Sequence, residues 1–195
     1  MAEGEKVRTF LAIDPPEGVI RKIAAIQDAL KKSIHGSISW VRPQGIHLTL
    51  KFFGDIDRED IGTISGIVAG HTAAAPALKL DIQRLGVFPN ARRTRVLWIG
   101  VGGETAKLIG LQQAIDGELE ARGFKKEERP FRAHLTLARI KSPQGLAGID
   151  RMLAEKGTES AGSFEAKGLT LFKSDLTPRG AIYTVLADFP FQGSK

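Results

Sequence analysis

Apolar and polar residues follow two periods along this chain, one typical of strands and one typical of helices. Short runs with alternating or continuous apolar residues predict seven strands, and apolar residues recurring every three or four positions predict four helices. The predicted strands cover residues 8–14, 47–54, 78–85, 96–101, 134–140, 164–172 and 181–187. The predicted helices cover residues 18–34, 105–122 and 144–156, with another beginning within 55–60 and ending near 71. Tight turns between these elements favour an α+β fold with mainly antiparallel sheets and helices packed outside.

One tetrapeptide, His-Leu-Thr-Leu, occurs twice, at residues 47–50 and 134–137, each time inside a predicted strand. Side chains alternate between faces along a strand, so His and Thr share one face, about 6.6 Å apart, and the two Leu share the other. The chain has 4 histidines in all, so this repeat holds half of them. The duplication predicts two related halves, each carrying one such strand, within a single two-lobed domain over residues 1–195.

Composition narrows the class of protein. An apolar content of 42% and a charged content of 26% are typical of a soluble globular chain. The absence of cysteine excludes disulfides and thiolate chemistry, and it is compatible with a reducing cytoplasm. No apolar run approaches the roughly 18 residues that a membrane span requires. Residues 1–8 are charged and lack the apolar core of a signal peptide. We therefore expect a cytoplasmic protein with no membrane association.

The net charge of +6 favours a polyanionic partner, and nucleic acid first, because basic side chains neutralise phosphates and release counterions. Many basic proteins bind no nucleic acid specifically, so the charge alone does not predict nucleic-acid binding and serves only as supporting evidence for it. A basic trio, Arg92, Arg93 and Arg95, lies in a predicted loop. It could follow an RNA backbone or be an ordinary solvated loop.

The histidines His47 and His134 have three interpretations. A single histidine is most often a core or surface residue, but two in the same tetrapeptide, each with a threonine on the same face, favour a site. A zinc site needs three or four ligands, commonly closely spaced, and no further histidine or carboxylate joins either tetrapeptide. We therefore expect neither a metal nor a cofactor. His35 and His71 lie near predicted helix ends and are interpreted as structural or surface residues.

Two histidines can cleave a phosphodiester without a metal. Because their reference pKa lies near 6.5, one can be neutral and accept a proton while the other is charged and donates one. The base activates water, and the acid protonates the departing sugar oxygen. Threonine hydroxyls can donate hydrogen bonds to the non-bridging phosphate oxygens. Lys51 and Phe52 could support substrate where the first tetrapeptide ends, although phenylalanine is more often a core residue.

The repeat and its flanking segments resemble a known family, the 2H phosphoesterases, which are named for two His-x-Thr-x motifs. The resemblance is greatest to their bacterial and archaeal RNA 2′,3′-cyclic phosphodiesterases, also called 2′-5′ RNA ligases, and it extends over nearly the whole chain. The segments that carry it are RTFLAI at 8–13, WV at 40–41, IHLTLKFFG at 46–54, FP at 88–89, RVLWIG at 95–100, RPFRAHLTLAR at 129–139 and LFKSDLTPRG at 171–180, with Tyr183.

The resemblance implies a role for each motif residue. His47 is the expected proton donor, and His134 is the expected proton acceptor. Thr49, Thr136 and Arg139 are expected to bind the substrate phosphate. The resemblance also implies two pseudo-symmetric lobes with a central cleft that carries both motif strands, and catalysis without a metal. Because the two tetrapeptides are identical, the residues alone do not distinguish the donor from the acceptor.

The implied reaction is hydrolysis of 2′,3′-cyclic phosphate at RNA 3′ ends, which breaks the bond to the 3′ oxygen and leaves a 2′-phosphomonoester. Substrates of this type include tRNA fragments and cyclic nucleotides, and we expect a monomer. One alternative is the reverse reaction, 2′-5′ joining of RNA ends, which concentrated water disfavours. Another is an RNA-end or nucleotide-binding module with little turnover. Two intact histidines favour the enzyme, because binding alone does not require two titrating imidazoles.

Overall fold

In a computed structural model of the chain, which describes residues 5–178 and 180–193, nine strands and four α-helices are present. In chain order they are β1 (Lys6–Ile13), α1 (Glu17–Lys31), β2 (His35–Trp40), β3 (Leu48–Asp57), α2 (Asp60–Ala74), β4 (Leu78–Phe88), β5 (Val96–Gly103), α3 (Thr105–Ala121), β6 (His134–Ala147), α4 (Ile149–Lys156), β7 (Ser160–Ala166), β8 (Gly168–Thr177) and β9 (Gly180–Pro190). Short 3₁₀ turns at Pro43–Gly45 and Ala91–Arg93 precede β3 and β5.

The strands form two sheets in which every neighbouring pair is antiparallel. A four-stranded sheet has the order β3-β1-β8-β9, and a five-stranded sheet has the order β2-β6-β5-β4-β7. Helices α2 and α3 contact each other and the four-stranded sheet, while α1 and α4 contact strands of the five-stranded sheet. The predicted α+β class with antiparallel sheets and outer helices is confirmed. Among the described residues, no helix combines the length and apolar character needed to cross a membrane.

The structure corrects several predicted elements. Strand β2 was not predicted, and the segment predicted as one strand over residues 164–172 contains the end of β7 and the beginning of β8. Helix α4 begins at Ile149, five residues later than predicted, because β6 continues to Ala147. Helix α2 begins at Asp60, the last residue of the predicted range, because β3 continues to Asp57 and includes two of the four acidic residues assigned to the helix start.

Helix α1 shows how the sequence places a helix on this core. Pro16 precedes its first turn, where a missing amide proton costs nothing, and Glu17 lies near the positive end of the helix dipole. The buried stripe consists of Val19, Ile23, Ile26, Gln27 and Leu30. This stripe joins a single cluster of buried apolar side chains to which both sheets contribute. The two sheets therefore share one core.

One polar residue in that stripe, Gln27, ties the two tetrapeptide regions together. Its buried Nε2 donates hydrogen bonds to the carbonyl oxygens of Val41 and Leu137, both at 2.9 Å. The backbone amide of Val41 also donates to the carbonyl of Leu137, at 2.9 Å. Leu137 belongs to the second tetrapeptide, and the connection through Val41 leads directly into the first. These bonds hold the start of β3 beside β6, and the two strands are in contact.

Candidate active site

Both tetrapeptides present their side chains as the alternation predicts. Thr49 and Thr136 are half-buried, and the histidine two positions before each of them is half-buried as well. The four leucines of the repeat are buried in the core, all at 3% exposure or less: Leu48, Leu50, Leu135 and Leu137. His47 directly precedes β3, and His134 is the first residue of β6. The leucines anchor the strands, so histidine and threonine face away from the core.

His47 lies between a carboxylate and a cluster of aromatic rings. Its Nδ1 is 2.5 Å from Oδ1 of Asp14, the residue that follows β1. Because a carboxylate only accepts, Nδ1 carries the proton and donates it. The rings of Phe172, Tyr183 and Phe10 lie 4.9, 5.0 and 5.7 Å from the imidazole, centre to centre. Among the described residues, the buried Nε2 of His47 has no hydrogen-bond partner.

His134 has a different partner on the same ring nitrogen. Its Nδ1 donates to the backbone carbonyl of Arg132 at 2.6 Å, so in the neutral ring Nε2 carries the free lone pair. Burial lowers the pKa of His134 below its ordinary value, and the nearby positive charge of Arg139 lowers it further. The carbonyl of Arg132 opposes both effects. The ring of Phe88 meets the imidazole edge-on at 5.1 Å, and Trp98 lies at 6.3 Å.

The identical tetrapeptides therefore hold chemically different histidines. The partner of His47 is a carboxylate, which compensates the positive charge of a ring that carries both protons. The partner of His134 is a neutral carbonyl, and burial beside a guanidinium favours a neutral ring. This asymmetry comes from Asp14 and Arg132, which lie outside both motifs.

An extra residue interrupts the alternation at the last position of the second tetrapeptide. In the pairing of β5 with β6, Trp98 lies opposite Thr136 and Leu97 lies opposite Ala138, so Leu137 is an extra residue. A bulge of this kind places two residues against one on the neighbouring strand. Leu137 and Ala138 are accordingly both buried, although they are consecutive.

The bulge decides which way Arg139 points. Strict alternation would place it on the face opposite Thr136. In the structure it pairs with Val96, and residues directly opposite each other in an antiparallel pair share a face. Val96 lies two positions from Trp98, so Arg139 shares the face of Thr136 and His134. The predicted phosphate-binding residues of the second motif are thus brought together on one face.

The first motif carries a bulge at the equivalent position. Ala12 lies opposite Thr49 and Leu11 lies opposite Lys51, so Leu50 is the extra residue. Lys51 therefore shares the core-facing side of the sheet with Leu11. Both motif strands change their facing pattern immediately after the sequence His-Leu-Thr.

The consequence for the first motif is a buried lysine and an exposed aromatic ring. Lys51 is only 3% exposed. Its Nζ lies 2.5 Å from Oδ1 of Asp116 and 2.7 Å from the carbonyl oxygen of Lys125. Phe52 pairs with Phe10 and is 58% exposed. The interpretation of Phe52 as a core residue is therefore wrong, and Lys51 points away from the histidine face.

A metal centre would need further ligands grouped with the two histidines. Within residues 5–178 and 180–193, no three His, Cys, Asp or Glu side chains are grouped so that they could hold a metal ion. His35 is exposed at the start of β2, and Nε2 of His71 lies 2.9 Å from Oε2 of Glu118 between α2 and α3. Neither histidine joins the tetrapeptides. The candidate site residues therefore remain His47, Thr49, His134, Thr136 and Arg139.

Comparison with known proteins identifies the family. The model of the LigT-like phosphoesterases matches the chain twice, over residues 13–98 and 99–183, and each match contains one His-Leu-Thr-Leu. The chain is 36% identical to a protein of Methanothermobacter thermautotrophicus named RNA 2′,3′-cyclic phosphodiesterase, over 94% of this chain and 98% of that protein.

Solved structures share the fold. The crystal structure of TT0787 of Thermus thermophilus superposes with a TM-score of 0.80 at 26% identity and covers 96% of this chain and 100% of its own. The structure of E. coli LigT complexed with 3′-AMP has a TM-score of 0.78 at 24% identity, over 96% of this chain and 99% of its own. The chain belongs to the LigT-like phosphoesterases of the 2H family.

Proposed function

We propose that this protein hydrolyses the 2′,3′-cyclic phosphodiester at RNA 3′ ends to a 2′-phosphomonoester, using two histidines and no metal. The observation that carries the proposal is the opposite character of the two Nδ1 partners, a carboxylate at His47 and a backbone carbonyl at His134. Acid–base catalysis requires one protonated and one neutral imidazole at the same pH. Relatives that are similar over nearly the whole chain are named RNA 2′,3′-cyclic phosphodiesterase, and this name supports the same reaction.

His134 is assigned as the general base. Its Nδ1–H is held by the carbonyl of Arg132, which leaves Nε2 to take a proton from water. The lowered pKa keeps the ring neutral at physiological pH, because burial and Arg139 disfavour the charged form. The water oxygen forms a bond to phosphorus as its proton moves to His134.

His47 is assigned as the general acid. As the bond between phosphorus and the 3′ oxygen breaks, Nε2–H donates its proton to that oxygen, and Asp14 holds the opposite side of the ring. Because Nε2 is buried without a partner among the described residues, a neighbouring group has to move before Nε2–H reaches that oxygen. One water is consumed. His134 then releases its proton to solvent, and His47 takes up a proton from solvent, which restores the starting state of both rings.

Thr49, Thr136 and Arg139 are assigned to the phosphate. The hydroxyls can each donate one hydrogen bond to a non-bridging oxygen, and the guanidinium supplies charge-assisted donors for the negative charge that accumulates during the reaction. The bulge after Thr136 supports this role, because it keeps Arg139 on the same face. The proposal further includes one two-lobed unit acting as a cytoplasmic monomer, with RNA ends as the partner and no cofactor.

The test is product mapping on an oligoribonucleotide that ends in a 2′,3′-cyclic phosphate, with EDTA present. We expect a 2′-phosphate product. His47→Ala and His134→Ala should each lower kcat by ~10²-fold or more, since a positioned acid or base contributes about that factor. His35→Ala, which changes an exposed histidine outside the site, is the matched control. Activity that requires added metal, or that survives both site substitutions, contradicts the proposal.

A further inference from the structure

A groove of about 690 Å³ lies beside the candidate site. One wall is the connection from β2 to β3, the floor includes β6, and the other wall is the hairpin between β8 and β9. The residues that line the groove include Trp40, Arg42, Gln44, Arg139 and Tyr183. Its volume lies within the ~300–1,000 Å³ that is usual for ligand sites.

Two residues that line the groove, Tyr183 and Arg139, are neighbours of the two histidines, which do not line it themselves. Tyr183, on one wall, has its ring 5.0 Å from the ring of His47, and it packs beside Gly45 on the facing wall. Arg139 lies close enough to His134 for its charge to affect the imidazole. A molecule held at the histidines therefore lies next to Tyr183 and Arg139, which both line the groove.

The groove has a cationic lining. Of the described residues that line it, two are arginines and none is an aspartate or glutamate. Arg42 is exposed, and its Nη2 donates to the carbonyl oxygen of Ala181 at 3.3 Å across the groove. In the described part of the chain, neither Arg42 nor Arg139 belongs to an ion pair with a carboxylate. Their charges are available to an anion.

The other lining groups suit a nucleotide. Trp40 and Tyr183 add aromatic surface, and Gln44 adds an exposed amide with donors and an acceptor. Grooves that bind single-stranded nucleic acid combine positive charge along the phosphates with aromatic side chains against the bases. The groove has both the positive charge, from its two arginines, and the aromatic side chains.

The chemistry of the substrate indicates which nucleotide reaches the groove. A cyclic phosphate occupies both the 2′ and the 3′ oxygen of the terminal ribose, so the rest of an RNA chain continues only from the 5′ oxygen. We propose that the groove binds the nucleotide on the 5′ side of the terminal one and that Arg42 binds the phosphate between them. This inference rests on the proposed function and makes Arg42 a residue that determines substrate length.

The test compares adenosine 2′,3′-cyclic phosphate with a diadenosine dinucleotide that ends in the same group. Wild-type protein should have the higher kcat/KM on the dinucleotide. In Arg42→Gln the ratio of the two kcat/KM values should fall about tenfold, mainly through KM on the dinucleotide, since one charge-assisted contact is worth roughly that factor. Arg42→Lys, which keeps the charge, should retain most of the ratio. Arg122→Gln, an exposed arginine outside the groove lining, should leave it unchanged.

Salt gives an independent readout. The slope of log(kcat/KM) against log[salt] on the dinucleotide should become shallower by about 0.7 in Arg42→Gln, as expected for one lost phosphate contact on a single strand. A wild-type ratio near one, or a ratio and slope that Arg42→Gln leaves unchanged, would overturn the inference while the proposed function stands.

A binding experiment separates the two ideas if wild-type protein hydrolyses neither substrate. Calorimetry would then compare adenosine 2′-phosphate with the dinucleotide ending in a 2′-phosphate, for wild type and Arg42→Gln. Tighter dinucleotide binding that depends on Arg42 supports the groove even though the proposed reaction fails. Equal binding of both ligands, or a preference that persists in Arg42→Gln, overturns the groove.

Discussion

Oδ1 of Asp14 lies 2.5 Å from Nδ1 of His47, across 33 residues of sequence. Asp14 follows β1 directly, so the neighbouring strand, and not the motif itself, supplies the group that orients the first histidine. At His134 the corresponding Nδ1 donates to a backbone carbonyl instead. The pair Asp14–His47 therefore gives one of two identical motifs its distinct chemistry.

Replacing Asp14 should reduce catalysis more than binding. In Asp14→Asn the ring keeps a neighbour of the same shape but loses the compensating charge, so we expect kcat to fall about 10- to 100-fold, part of the factor that a positioned acid supplies. KM should change less than about threefold, because Asp14 is not assigned to the phosphate. Steady-state kinetics on a cyclic-phosphate substrate measure both. Asp28→Asn, which alters an exposed carboxylate of α1, is the control, and equal losses in the two variants would contradict the assignment.

Removing Arg139 should move the acidic limb of the pH–rate profile. The positive charge of Arg139 helps to lower the pKa of His134, so Arg139→Gln raises that pKa. A base works only when neutral, and the rising limb of kcat/KM should therefore shift to higher pH. Arg139→Lys retains the charge and should keep the limb near its wild-type position. A shift to lower pH in Arg139→Gln would show that His134 is not the base.

The buried pair Lys51–Asp116 should be important for stability. Lys51→Met leaves the carboxylate of Asp116 buried without its partner, which costs about 3–5 kcal/mol of unfolding free energy. The double variant Lys51→Met/Asp116→Leu should recover much of that loss, because no uncompensated charge remains. Urea unfolding gives the values. Arg21→Met, which breaks the exposed pair with Glu17, should cost about 1 kcal/mol or less, and a similar cost for Lys51→Met would contradict the prediction.

Gly86 is needed for the position of Trp98. A Cβ at Gly86 would lie 2.2 Å from two atoms of the Trp98 ring, which lies opposite Thr136 on the next strand. Gly86→Ala should therefore displace the indole and destabilise the protein by about 1–3 kcal/mol. Gly66→Ala is the matched control, since Gly66 lies within α2 and nothing lies within 4 Å of its added Cβ. Thermal unfolding should show a gain or no change for Gly66→Ala.

Periodicity predicted the central strands and the helices but missed the edges of the five-stranded sheet. Strand β2 contributes only Ile38 and Trp40 as large apolar residues, and neither is fully buried. Strand β7 consists largely of small and polar residues. An edge strand has one neighbour and less buried surface, so its apolar pattern is weaker. The edge strands of the other sheet, β3 and β9, were nevertheless predicted, and β3 keeps a clear pattern because Leu48 and Leu50 are buried in the core.

For the candidate site, too, the sequence predicted some features and missed others. Local sequence correctly indicated the histidine and threonine face, because that face needs only two residues of regular strand. It did not indicate the bulges, since Leu50 and Leu137 are ordinary core residues and the extra position is defined by the neighbouring strand. Nor did it indicate that Asp14 and Tyr183 meet His47, because sheet pairing brings them together. Such contacts depend on the register between neighbouring strands, and the apolar pattern of one strand does not specify that register.

The strand order means that neither half of the chain contains all the strand neighbours that it needs. Both sheets join strands from the two matched halves: β1 pairs with β8, β2 with β6, and β4 with β7. A polypeptide ending near residue 98 would lack these neighbours and would leave Gln27 without the carbonyl of Leu137. Either half expressed alone would therefore need the other half, supplied as a second polypeptide, to complete both sheets.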